Sequence, residues 1–153
     1  MIKRRNIILM SFLLISCMLL CCSCGKDIEA IAKVVNALKD IPIDLDLTQC
    51  TELQSIPENT FSGLQNLVAI SLPISVKTIG ANAFNNCKGL THIALGLGIT
   101  SIGTLAFRNC SNLKRVDYNG TIEQWCNISF ENNTLRYVTS ASCGLLGRRK
   151  YSV

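Results

Sequence analysis

The chain of 153 residues holds one histidine, His92, and the acids that stacked strands would bring towards it are Asp46 and Asp117. An imidazole oriented by a carboxylate is the start of a general base, but catalysis also needs a pocket and a nucleophile within hydrogen-bond reach. The spacing supplies neither, and the ordinary reading of a His–Asp contact on a strand face is a surface pair. No enzyme is expected. The other candidates for chemistry are the nine cysteines, four of them within the first 24 residues. Cys50, Cys87, Cys110, Cys126 and Cys143 remain, with no C-x-x-C pair among them. With a single histidine beside them, a metal site is not expected, and no cofactor is implied. The favoured reading is thiols buried as small hydrophobes; a disulfide is the alternative that an exported location permits.

Cys24 has a different context. "MIKRR" is basic, "IILMSFLLISCMLLCC" carries no charge, and "SCGKD" restores polarity. A basic segment, an apolar segment and small residues before a cut mark an export signal. Cleavage before Cys24 would leave an N-terminal cysteine to carry lipid, as in a bacterial lipoprotein. Two alternatives stand beside it: lipid attachment at Cys17, within "LISC", and an uncleaved anchor. The apolar run of about 16 residues is short of the ~20 that span a bilayer. The expected location is a membrane-anchored lipoprotein at the cell surface or outer membrane. Loss of residues 1–23 removes three basic and no acidic residues and takes the formal charge from +5 to about +2. The remaining chain has no clustered basic face, so nucleic acid is not an expected partner.

The elements that would position these residues are repeats. "TIGANAFNNCKGL", residues 78–90, returns as "SIGTLAFRNCSNL", residues 101–113, 23 positions later. A third copy, "SIPENTFSGLQNL", lies 23 positions before the first. Apolar residues then recur in register: Leu53, Val76 and Ile99; Ile56, Ile79 and Ile102; Phe61, Phe84 and Phe107; Leu64, Cys87 and Cys110; Leu67, Leu90 and Leu113; Ile70, Ile93 and Val116; Leu72, Leu95 and Tyr118. Within a unit, Leu90, Ile93 and Leu95 end on the period-two alternation of a half-buried strand. A second extended piece follows, and Gly80 and Gly103 are read as allowing a sharp bend after it. "A-F-x-N-C" then carries the chain back, with Asn86 and Asn109 as turn residues. One such unit cannot bury its apolar face alone, so the pattern implies stacked coils with caps.

The ends are read as caps. Ile28, Ile31, Val34, Val35 and Leu38 have helical spacing and predict an amphipathic helix over the first coil; a membrane-surface helix is the alternative. Ile43, Leu45 and Leu47 alternate as the first strand, with two extra residues placed in the Thr48–Thr51 turn. At the other end, Trp125 falls where Ile102 predicts and Phe130 where Phe107 predicts, in a degenerate coil. The expected organisation is a lipoprotein-type signal over 1–23, a linker and capping helix over 24–42, a solenoid over 43–130 and an irregular tail over 131–153.

"LVAISLPISVKTIGANAFNNC", residues 67–87, resembles the BspA-like leucine-rich repeat family, the spirochaete type of 23 residues. "LTHIALGLGITSIGTLAFRNC" departs from its pattern only where Gly96 and Gly98 stand. The resemblance covers about residues 43 to 130. It implies an α/β repeat: a leucine-rich-repeat solenoid with a parallel β-sheet on the concave face. It also implies a surface protein serving as an interaction or adhesion module, with host matrix or cell-surface proteins as partners. The alternative is a truncated repeat fragment with a structural role and little binding of its own. The family supplies no catalytic residue. Function would reside in residues flanking the buried strand positions, and the candidates are Asp44, Asp46, Ser71, His92, Arg115 and Asp117.

Overall fold

The computed structural model describes residues 28–131. Helix α1, Ile28–Ala37, opens the described chain, with Ile28, Ile31, Ala32 and Val35 buried. Val34 and Leu38 are half-buried, so the apolar stripe is narrower than the sequence predicts and takes in Ala32. Strands β1 (Ile43–Asp46), β3 (Leu67–Ser71), β5 (His92–Leu95) and β7 (Arg115–Tyr118) form one parallel sheet in that order. The two-residue strands β2 (Ser55–Ile56), β4 (Thr78–Ile79), β6 (Ser101–Ile102) and β8 (Ser129–Phe130) form a second, again parallel. Each coil contributes one strand to each sheet, and its return segment closes the loop. A short helix, α2 (Ile122–Cys126), interrupts the last coil.

The register follows the repeat. Ile70 pairs with Ile93 and Ile93 with Val116; Ile56 pairs with Ile79 and Ile79 with Ile102. Every residue of the seven apolar ladders is buried. Phe61, Phe84 and Phe107 stack with ring centroids 5.2 Å apart at both steps. The two extra residues lie where expected, between Leu47 and Leu53, and Cys50 turns inward to fill the space they open.

The return segments are linked as regularly as the strands. Phe61 N–H donates to the Ala83 carbonyl and Phe84 N–H to the Ala106 carbonyl, both at 2.8 Å. To aim these groups at the next coil, the backbone turns left-handed twice per unit. Asn59, Asn82 and Leu105 occupy the first such position (φ 59°, 53° and 57°), and Gly63, Asn86 and Asn109 the second. Asparagine and glycine tolerate this region; a leucine pays about 1–2 kcal/mol for it. Leu105→Asn is therefore expected to raise stability, by up to about 1 kcal/mol after the loss of its half-buried side chain, seen as a higher urea midpoint.

Three readings from sequence need correction. Gly80 and Gly103 lie outside the left-handed region and make no special bend. They are glycine because the neighbouring coil passes close: a Cβ on Gly80 would lie 2.6 Å from the Glu58 nitrogen, and one on Gly103 2.6 Å from the Ala81 nitrogen. Second, Phe130 pairs with Ile102 rather than continuing the Phe107 ladder. The five residues of α2 shift the register by that amount. Thr121 starts this helix with a capping box, its Oγ1 accepting from Gln124 N–H while the Gln124 side chain accepts from Thr121 N–H. Third, Trp125 consequently leaves the strand position and packs between Tyr118 and Phe130, at 5.3 and 5.7 Å.

Candidate interaction surface

The alternation of buried and outward residues along the larger sheet sets two rows of side chains on its outer face. Parallel pairing places Asp44, Ala69, His92 and Arg115 in one row. The second row holds Asp46, Ser71, Ala94 and Asp117. All six candidates from the sequence therefore share one face. They do not form one cluster. Asp44 and Asp46 stand exposed on β1, separated from the others by the small side chains of β3. Asp46 Oδ1 accepts from Thr48 N–H at 2.9 Å, which fixes the start of the following turn.

At the other edge both oxygens of the Asp117 carboxylate are engaged. Its Oδ1 accepts from Arg115 Nε at 2.7 Å. Its Oδ2 lies 2.7 Å from Arg115 Nη2 and 3.0 Å from His92 Nε2. Register explains the triad: His92 lies beside Arg115 across the β5–β7 pair, and Asp117 is the next outward residue after Arg115. The histidine thus meets Asp117 and not Asp46, and the carboxylate it meets is shared with a guanidinium. The result is an ion-pair cluster that orients Arg115, whose side chain is 66% exposed against 29% for Asp117.

The hydrogen bond from Arg115 is the main cause holding the Asp117 carboxyl below its ordinary value of 3.8. A lowered acid stabilises the fold fully above that ordinary value, and the contribution is lost as pH falls through the lowered one. The part of the stability difference between the native chain and Asp117→Asn that comes from this carboxylate is therefore expected to be lost as pH falls below about 4. Urea midpoints measured across that range test this.

Cys87 and Cys110 carry no such chemistry. Burial pushes their thiols up to about 12 and about 11. Each instead donates its S–H to a carbonyl of the adjoining coil, Cys87 to Phe61 at 2.9 Å and Cys110 to Phe84 at 3.0 Å. Both are free and buried, as small hydrophobes of the ladder, while Cys126 is exposed. Cys24, Cys17 and Cys143 lie outside the described residues. Among the described residues no helix is long and apolar enough to cross a membrane.

Sequence reasoning missed Asn66, the buried polar residue that seats the cap. Its Nδ2 donates to the carbonyls of Val35 (2.8 Å), Leu38 (3.0 Å) and Ile41 (3.3 Å). Val35 and Leu38 stand at the C-terminal end of α1, where carbonyls lack the usual i+4 partner, and Ile41 follows in the turn after it. Its place in the unit is taken by Gly89 in the next coil and Asn112 in the one after, so the repeat itself did not single it out.

Two stacked parallel sheets at a spacing of 23 residues, joined by turn-rich return segments, define a leucine-rich repeat solenoid. The family model for the BspA type leucine rich repeat region matches residues 43–147, in six copies. The chain belongs to that family, whose members are typically scaffolds for protein interaction rather than enzymes. The match runs past residue 130, where the sequence reading ends the solenoid. Among solved structures, the chain is similar to a leucine rich cell surface protein from Faecalibacterium prausnitzii. They share 34% identity at a TM-score of 0.50, over 52% of this chain and 21% of that one. It is also similar to a leucine rich repeat protein of T. pallidum (35% identity, TM-score 0.42, 43% of this chain, 31% of that one). A leucine-rich repeat protein from Bacteroides ovatus matches at 28% identity and TM-score 0.38, over 56% of this chain and 30% of that one. The chain spans less than a third of the length of each. The comparison with curated proteins gives no match.

Proposed function

We propose that the chain is a surface-displayed interaction module that binds proteins through the outer face of its larger sheet. The observation that carries the reading is the oriented cluster of His92, Asp117 and Arg115 on a face whose remaining positions are small or acidic. An arginine held in place by its own sheet loses little freedom on meeting a partner, so more of the contact energy appears as affinity. Solenoids generally recognise partners on such extended faces. The cell-surface description of the F. prausnitzii protein supports display outside the cell, and the N-terminal sequence supports attachment there by lipid on Cys24. Host matrix or cell-surface proteins are the partners we favour.

The full chain, immobilised and offered host matrix proteins at micromolar concentration, is expected to retain at least one of them. Retention of none would favour a purely structural role, which the modest width of the face also fits: four strands against the ~800 Å² per partner of a standard interface. Lipid attachment is tested separately by fatty-acid labelling in cells. Cys24→Ser is expected to abolish labelling; undiminished labelling would refute that site.

A further inference from the structure

The face is electrically lopsided, and the asymmetry describes a partner. Asp44 and Asp46 present two exposed carboxylates on β1. At the opposite edge Asp117 has its oxygens occupied by Arg115 and His92, so it offers a partner little as an acceptor. What projects there is the outer edge of the Arg115 guanidinium, whose Nη1 hydrogens are not used on Asp117. Between the edges lie Ala69, Ser71 and Ala94, contiguous through the register and too short to rise to the level of either flank, while His92, the other outward residue of β5, leans onto Asp117 and joins the Arg115 bank. The face is a shallow trough with acceptors on one bank and donors on the other.

Resting on the reading of this face as the docking surface, we propose that its partner is an extended polypeptide segment of the form basic-x-apolar-x-acidic. The segment lies across the four strands of the larger sheet. Neighbouring strands are ~4.8 Å apart, so the span from β1 to β7 is about 14 Å. An extended chain rises about 3.4 Å per residue, so the four steps from a first to a fifth residue cover that span. Alternate side chains of an extended segment point the same way. The first, third and fifth residues therefore face the sheet together. The basic one meets Asp44 and Asp46, the apolar one fills the trough over Ala69, Ser71 and Ala94, and the acidic one takes the free edge of Arg115. Planar, two-donor contact with a carboxylate is what a fixed guanidinium does best.

The test uses the full chain in mild detergent and labelled peptides in a common frame, read by fluorescence anisotropy at low salt. A Lys-x-Leu-x-Glu peptide is expected to bind about tenfold more tightly than its Lys-x-Leu-x-Lys and Glu-x-Leu-x-Glu counterparts. The preference should shrink in 0.5 M salt, where screening acts over about 4 Å. Asp44→Lys with Asp46→Lys is expected to transfer the preference to Glu-x-Leu-x-Glu, and Ser71→Arg to remove binding of all three. Equal affinities, or a different preference still removed by Ser71→Arg, would overturn the proposed partner while leaving the docking face in place. No binding of any peptide, or binding untouched by Ser71→Arg, would also overturn it. Retention of matrix proteins by the native chain but not by Ser71→Arg then decides the docking face separately.

Discussion

Replacing Phe84 by alanine is expected to lower the free energy of unfolding by about 3–5 kcal/mol, the cost of emptying a fully buried aromatic site. Phe84 is chosen over Phe61 and Phe107 because its ring is stacked on both sides, with neighbours at 5.2 Å in the coils before and after. Its side chain is completely buried, and backbone bonds from the return segments hold the coils at fixed separation on either side. The cavity cannot collapse without breaking those bonds, which places the cost at the upper end. Urea unfolding followed by circular dichroism measures it. A loss under about 1 kcal/mol, no more than that of an average point substitution, would mean that the coils are not packed as described.

The second large effect concerns the N-terminal cap. Asn66→Leu keeps the branched heavy-atom skeleton of the side chain and removes the donor that three carbonyls share. Two of those carbonyls already accept one backbone bond each, Val35 from Leu38 N–H and Leu38 from Ile41 N–H. The loss is therefore partial rather than total for each group. A cost of about 1–3 kcal/mol is expected for leaving buried acceptors under-satisfied. The damage should also be local. Hydrogen exchange in α1 should speed up by more than the global destabilisation requires, while β3 and β5 keep their protection relative to the new global stability. Uniform acceleration would show that Asn66 serves the whole core and not the seat of the helix.

Much of this architecture was legible because the repeat makes one observation three times. A single buried Phe84 is a guess; Phe61, Phe84 and Phe107 at equal spacing define a ladder. The same periodicity put Cys87 and Cys110 inside and set Asp44, Asp46, Ser71, His92, Arg115 and Asp117 on one face. The illegible parts are those that do not repeat or that depend on backbone proximity. Asn66 acts on a helix from a different part of the chain, and its counterpart in the next coil is Gly89. Gly80 and Gly103 look like turn residues in sequence, since the closeness of the next coil leaves no mark on the coil's own letters. Leu105 breaks an asparagine position whose left-handed geometry only the backbone reveals. The shift that carried Phe130 onto Ile102 came from a helix of five residues, shorter than periodicity can detect.

That the Arg115 side chain belongs to a recognition surface, and not merely to a solvated edge, depends on what the sheet face does when a partner is present. The most direct measurement compares retention of a bound protein partner by the native chain, by Ser71→Arg and by Arg108→Ala. Ser71 sits in the middle of the larger sheet, and an arginine there fills the trough. Arg108 is exposed on a return segment away from that face. Loss of retention in Ser71→Arg alone, with all three chains unfolding at similar urea concentrations, is the expected result. Equal retention by Ser71→Arg and the native chain would contradict the assignment of function to this face.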